Sequence, residues 1–210
     1  MSAVSAGEPH PDRVGGRPAP RVVLTGGPGG GKTTAGDLYL RELGETAIIV
    51  PEAATLLFAG GFPRVDEPDA ERSLQQAIFA VQHHLEDVQG ARFPERVQLC
   101  DRGTVDGAAF WPDGQDEFFA IAGTDLRQEL ARYDAVLFFE TAAVGGLSIE
   151  GGNRYRLESV DEAVALDERL RELWSQHERF YFVPHQQSFL AKITAGLAIL
   201  RSVIGMHPRH

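Results

Sequence analysis

A glycine-rich segment holds the residues whose types and spacing point most directly to chemistry. It comprises Gly26, Gly27, Pro28, Gly29, Gly30, Gly31, Lys32 and Thr33, which fit G-x-x-x-x-G-K-[ST], and Thr34 follows. In this pattern, the glycines let backbone N–H groups turn toward phosphates, the lysine reaches the β- and γ-phosphates, and the hydroxyl binds Mg²⁺. An apolar run precedes the motif and a helical pattern follows it, which disfavours a simple glycine-rich hairpin turn. These residues are therefore predicted to bind a nucleoside triphosphate.

Two acidic residues come directly after other predicted strands. Glu52 follows the apolar run 47–50, and Asp101, with Arg102 beside it, follows 97–100. Asp101 stands at the Walker B position, which holds Mg²⁺, while Glu52 could take a proton from an attacking hydroxyl or bind Mg²⁺ through water. Arg102 could contact substrate or phosphate. The structural alternatives are a favourable charge at a helix start for Glu52 and an ordinary surface ion pair for Asp101 and Arg102.

Two arginines lie in a glycine-flanked segment after the fourth predicted strand. Arg154 and Arg156 belong to the sequence Asn-Arg-Tyr-Arg-Leu-Glu, with glycines at 145, 146, 151 and 152. Guanidinium groups on a closing loop stabilise the charge that develops during phosphoryl transfer and help to exclude water. The segment 145–158 is therefore predicted to be a lid, and its alternative is a solvated polar loop.

The elements that must position these residues alternate along the chain. Predicted strands cover 21–25, 47–50, 97–100, 135–139 and 181–183, and predicted helices cover 33–43, 52–59, 69–89, 116–122, 125–132, 160–180 and 188–204. Such alternation favours a parallel sheet with helices on both faces, and ligands then lie beyond the carboxyl ends of the strands. The expected fold class is α/β: a three-layer α/β/α P-loop NTPase sandwich with a five-stranded, mostly parallel sheet, kinase-like and with a lid. Aromatic residues at 110, 111, 118 and 119 either line a substrate pocket or fill the core under the first helix, and we favour the core.

Composition bounds the domain organisation and the partners. Residues 1–20 carry four prolines and three glycines, which predicts a disordered tail before a domain over 21–206. The tail lacks the charged and apolar regions of a signal peptide. A net charge of −10 argues against nucleic acid or anionic membranes as partners. Cys100 is the single cysteine, so an internal disulfide is excluded and a cytoplasmic location is expected. Oligomerisation stays open.

Several motifs together resemble a known family. The segments GGPGGGKTT, PEAAT, DRG, YDAVLFFET and NRYRLES resemble the AAA-type ATP-binding family that includes the ribosylnicotinamide kinase domain of bacterial NAD regulators. The nucleotide-binding half of the TRPL translocation defect protein is similar. More loosely, the placement of Glu52, Asp101-Arg102 and the arginines 154 and 156 is similar to that in deoxyribonucleoside kinases. The resemblance covers roughly residues 21–200 and implies transfer of a phosphoryl group to a small hydroxylated molecule.

The sequence thus predicts an ATP-dependent, Mg²⁺-requiring kinase acting on a small hydroxylated acceptor such as a nucleoside. Lys32 and the loop backbone would hold phosphates, Thr33 and Asp101 would hold Mg²⁺, and Glu52 would be the base. Arg102, Arg154 and Arg156 would compensate charge. A nucleotide-dependent switch or scaffold acting on a protein partner is the alternative, and a plain NTP hydrolase is a third reading that requires a water-positioning group we do not identify.

Overall fold

The computed structural model describes residues 19–145 and 159–205. Within these ranges the strands are β1 (Arg21–Thr25), β2 (Ala47–Val50), β3 (Val97–Asp101), β4 (Ala135–Phe139) and β5 (Phe180–Val183). The α-helices are α1 (Lys32–Leu43), α2 (Ala53–Ala59), α3 (Pro68–Arg92), α4 (Gln115–Ala122), α5 (Leu126–Leu130), α6 (Val160–Trp174) and α7 (Phe189–Gly205). Short 3-10 turns cover Gly44–Thr46, Asp106–Ala109 and Ala142–Gly145. The predicted tail 1–20 lies almost wholly outside the described residues.

The five strands form one all-parallel sheet in the order β2-β3-β1-β4-β5. The predicted α/β fold class is confirmed, with every strand pair parallel. In this order the central strand β1 lies between β3 and β4, with Leu24 opposite both Asp101 and Leu137. The C-terminal ends of these three strands therefore meet at one edge of the sheet, directly beneath the glycine-rich loop that follows β1.

Two apolar clusters cover the two faces of the sheet. One contains α1 and α7 side chains, such as Tyr39 and Leu200, against Leu24, and Tyr39 donates a hydrogen bond to the Ile193 carbonyl. The other contains residues of α4, α5 and α6, with part of α3 packed against it. These layers follow from the burial of β3 and β4 along their whole length, and of β1 from Val22 onward, so that both faces of these strands require cover.

The aromatic residues near 110–119 lie mainly in the core. Trp111, Phe118 and Phe119 are buried on the α6 face of the sheet, whereas α1 packs on the opposite face. The preference for a core role is correct for these three, but their placement under the first helix is wrong. Phe110 is only partly buried and lines a cavity that is described with the candidate site.

Helix α6 ends earlier than the sequence predicts. The apolar pattern favours a helix to residue 180, yet α6 ends at Trp174 and Phe180 begins β5. The Val136 amide donates to the Arg179 carbonyl, and the Phe180 ring lies 5.7 Å from that of Phe138. Pairing with β4 therefore overrides the helical periodicity, because it satisfies an entire row of backbone groups. Across the described residues, no helix is long and apolar enough to cross a membrane.

Candidate functional site

The glycine-rich loop curves tightly against the end of β4. Gly26 and Gly31 have φ of 126° and 88°, in the region that favours glycine, and they flank the turn. A Cβ on Gly26 would clash with the Phe139 carbonyl oxygen, and a Cβ on Gly30 would come within 2.6 Å of it. The amide of Gly30 also donates to the carbonyl of Gly27, at 3.2 Å. These contacts explain why glycine occupies positions 26 and 30: the loop backbone packs directly against the end of β4 and leaves no space for a Cβ.

Lys32 is buried at the start of α1, with its ammonium against the backbone of the loop. Its Nζ donates to the carbonyl oxygens of Gly26 and Gly27, at 2.7 and 2.8 Å. The sequence predicts that this lysine reaches the β- and γ-phosphates. In the structure its ammonium lies against the loop that would hold the phosphates, with hydrogen bonds to two loop carbonyls, and its contact with phosphates stays a prediction.

Thr33 and Asp101 come together as predicted for a metal site. The Thr33 hydroxyl donates to Asp101 Oδ2 at 2.7 Å, and Asp101 Oδ1 is buried without a hydrogen-bond partner among the described residues. Burial, and next the Glu52 carboxylate, raise the pKa of Asp101, whereas Thr33, Lys32 and Arg102 oppose the rise. An unpaired carboxylate oxygen beside a hydroxyl is a hard oxygen donor set, which suits Mg²⁺.

Glu52 and Arg102 form an ion pair beside that carboxylate. Arg102 Nε donates to Glu52 Oε1 at 2.6 Å, and the Thr55 hydroxyl donates to Glu52 Oε2 at 2.5 Å. Burial acts to raise the pKa of Glu52, but the charge of Arg102, the Thr55 hydrogen bond and Lys32 outweigh it, so that the pKa lies below its usual value. Glu52 is therefore ionised at neutral pH.

Arg102 adopts an unusual backbone conformation that aims its side chain into the site. Its φ is 71°, the one positive value among non-glycine residues that the structure describes. Its guanidinium lies between Glu52 and the Asp106 carboxylate, 3.9 Å from the latter. Burial acts to lower the pKa of Arg102, but the three neighbouring carboxylates raise it above its ordinary value. Such strain at the end of a strand is typical of functional sites, where surrounding contacts hold the residue in place.

A cavity of about 370 Å³ opens beside these residues, between α2 and α3. Pro28 of the glycine-rich loop, Glu52 and Arg102 contribute to its wall. Phe58 and Phe110 supply aromatic surface. A concave, partly apolar space next to perturbed ionisable groups is the usual character of a small-molecule site. The sequence alone did not predict its walls, because they combine residues of the glycine-rich loop, α2, α3, the turn after β3 and α6.

Two further residues of the site were not predicted from the sequence, and two predicted residues lie outside the described part of the chain. Asp167 of α6 accepts hydrogen bonds from the Gly27 and Thr141 amides, and Lys192 of α7 donates to the Gly30 and Glu140 carbonyls. The signal for Asp167 is its position on the apolar face of an amphipathic helix, between Leu166 and Leu170. The arginines 154 and 156, and with them the predicted lid, lie outside the described residues.

The fold and this site define a P-loop NTPase-type protein. Strand, glycine-rich loop and helix follow one another, and a carboxylate at the end of the adjacent strand bonds to the threonine of the motif. The family model of the AAA domain matches residues 21–189, and the chain belongs to that family. No match is found among curated proteins. Membership of this family indicates a nucleotide-binding protein that hydrolyses the nucleotide or transfers a group from it. The resemblance to particular kinases stays a prediction.

Proposed function

We propose that this protein is a kinase that transfers the γ-phosphoryl group of ATP to a hydroxyl of a small molecule, such as a nucleoside. The observation that supports this most strongly is the position of Glu52. Its ionised carboxylate lines the cavity and lies beside Asp101 and Lys32, close enough for their charges to interact. A molecule in the cavity would thus meet a base and the phosphate loop at once.

The proposed chemistry uses the chain's residues in distinct roles. Glu52 accepts the proton of the acceptor hydroxyl as that oxygen bonds to the γ-phosphorus, and the bond to the β–γ bridging oxygen breaks to release ADP. Lys32 and the loop amides hold the phosphates, and Arg102 fixes the Glu52 carboxylate. Thr33 and Asp101 would hold Mg²⁺, which neutralises charge on the phosphates when bound.

The rival functions differ in what they require of the site. A nucleotide-dependent switch requires neither a base that faces a cavity nor an aromatic wall for an acceptor. A plain hydrolase would leave the cavity without a role. The cavity and Glu52 together favour transfer, and ATP is the proposed phosphoryl donor.

A screen for the acceptor tests this function directly. Purified protein with Mg·ATP is incubated with a library of nucleosides, sugars and other hydroxylated metabolites, and ADP and phosphorylated products are followed by mass spectrometry. We expect product formation with one acceptor class and little ADP formation without an acceptor. Equal ADP release with and without every compound would support hydrolysis, and tight ATP binding without any turnover would support the switch.

A substitution that fills the cavity should separate acceptor binding from ATP binding. Ala54 lines the cavity, so Ala54→Trp should raise the acceptor KM about tenfold or more while the Kd for Mg·ATP stays unchanged. Leu56→Trp is the matched control, because Leu56 lies on the same helix, is 44% exposed and does not line the cavity. An unchanged acceptor KM in Ala54→Trp would place the acceptor elsewhere.

The two arginines at 154 and 156 are proposed to stabilise the charge on the transferring phosphoryl group. Arg154→Ala and Arg156→Ala should lower kcat more than they raise the KM for ATP, because an interaction made only in the transition state affects kcat. Steady-state kinetics of both variants measure this. Parent values of kcat in both variants would remove these arginines from the mechanism.

A further inference from the structure

Two buried charged side chains, from α6 and α7, bind the backbone of the glycine-rich loop. Asp167 Oδ1 accepts the Gly27 amide at 2.7 Å and the Thr141 amide at 3.0 Å. Lys192 Nζ donates to the Gly30 carbonyl at 2.9 Å and to the Glu140 carbonyl at 2.6 Å. Each side chain therefore joins the loop to the segment that directly follows β4.

These contacts set the direction of two peptide planes. In a trans peptide the C=O and the following N–H point in opposite directions. Lys192 holds the Gly30 carbonyl, so the Gly31 amide points away from Lys192. Asp167 holds the Gly27 amide, so the Gly26 carbonyl points away from Asp167, and Lys32 Nζ binds it at 2.7 Å. The two side chains thereby fix which backbone groups a phosphate would meet.

Asp167 and Lys192 are buried, where an unpaired charge would lower stability, and specific hydrogen-bond partners compensate each charge. Asp167 is 4% exposed and Lys192 is 3% exposed. Burial lowers the pKa of Lys192 to about 8, opposed by the Asp167 and Glu140 carboxylates. Burial raises the pKa of Asp167, opposed by the amides of Gly27 and Thr141. A charge kept inside the protein in this way is held by the hydrogen bonds that it makes.

The residue type at 192 fits this task. The chain has 20 basic residues of the Lys and Arg types, and only Lys32 and Lys192 are lysines. Both bind carbonyl oxygens of the glycine-rich loop. A compact ammonium can bridge two buried carbonyls, whereas the planar guanidinium fork of arginine needs more space and five partners.

We propose that Asp167 and Lys192 are positioning residues that orient the glycine-rich loop for phosphate binding, acting from outside the loop. They touch loop backbone rather than nucleotide. The proposal concerns nucleotide binding and holds whether or not the protein is a kinase.

The experiment measures the affinity of Lys192→Met and Asp167→Ala for Mg·ATP and for Mg-tripolyphosphate by calorimetry, at a temperature far below each variant's unfolding midpoint. Tripolyphosphate isolates the phosphate contacts from those of base and ribose. We expect both ligands to lose affinity by the same factor, roughly 10- to 100-fold, as the loss of a charge-assisted hydrogen bond predicts. Asp167→Asn keeps an acceptor oxygen at this position, so it should recover part of the affinity that Asp167→Ala loses.

Matched controls come from the same two helices. Arg201→Met removes an exposed cation of α7 that pairs with Glu42, and Glu168→Ala removes the exposed neighbour of Asp167, so both should bind like the parent. If Lys192→Met and Asp167→Ala fold and bind both ligands as the parent does, the proposal is wrong. A loss confined to ATP would also overturn it, since it would place these residues at the base or ribose. If Lys192→Met or Asp167→Ala fails to fold, the affinities of the remaining variant and of Asp167→Asn test the proposal.

Discussion

Lys32→Ala should nearly abolish Mg·ATP binding and reduce any turnover by roughly 10²–10³, the range found when one preorganised charge-stabilising group is removed. Lys32 carries a buried ammonium at the start of α1 that binds the Gly26 and Gly27 carbonyls of the loop. Without it, phosphates would meet the loop amides but lose the ammonium charge that the loop itself holds. Calorimetric titration with Mg·ATP, and turnover with whichever acceptor the screen identifies, measure the effect.

The control for this substitution lies on the same helix. Arg41 is an exposed cation near the end of α1, so Arg41→Ala should bind Mg·ATP as the parent does. A thermal unfolding scan of Lys32→Ala is needed as well, because the change also removes two buried hydrogen bonds. A folded Lys32→Ala protein with parent affinity and turnover would contradict the assignment of this loop as the phosphate site.

Asp101→Asn and Glu52→Gln should fail in different ways, although the two carboxylates are neighbours. Asp101 has a buried oxygen without a hydrogen-bond partner in the described structure and bonds to the Thr33 hydroxyl, so its replacement should remove the Mg²⁺ dependence of ATP affinity. Glu52 is ionised and lines the cavity, so Glu52→Gln should keep ATP binding and lose transfer by about 10²–10⁴, the usual contribution of a general base.

A magnesium titration of ATP affinity on the parent and both variants tests this pair. The two substitutions control for each other, since each exchanges one carboxylate for its isosteric amide at the same edge of the sheet. Parent-like magnesium dependence in Asp101→Asn would remove Asp101 from the metal site. The same loss of ATP binding in both variants would move Glu52 into the metal site and leave the base unassigned.

Local sequence determined the fold class and the central part of the site. Strand β4 coincides with an unbroken apolar run, and β1 leads directly into the glycine motif. The meeting of Thr33 with Asp101 was predictable because parallel strands end at a common edge, and Asp101 is the last residue of β3, the neighbour of β1. Such features depend either on residues within one element or on a general rule of parallel sheets. Both kinds of feature can be predicted from a single sequence.

Sequence reasoning failed for the features that depend on contacts between residues far apart in the chain. The helical pattern continued past Trp174, yet pairing with β4 turned Phe180 into a strand residue. Likewise, the ion pair between Arg102 and Glu52 follows from a left-handed φ at Arg102, which no spacing in the sequence indicates. The walls of the cavity combine residues of the glycine-rich loop, α2, α3, the turn after β3 and α6, which lie far apart along the chain.

The sequence by itself determined which residues could bind phosphate, because the motif places its glycines, lysine and threonine within eight consecutive positions. Only the tertiary structure showed what holds them in place. Asp167 and Lys192 lie 140 and 162 residues along the chain from the glycines whose backbone they bind. The packing of α6 and α7 on the sheet sets those contacts. The hydrogen-bond partner of a buried carboxylate or ammonium depends on which groups folding brings next to it, and the sequence does not reveal that.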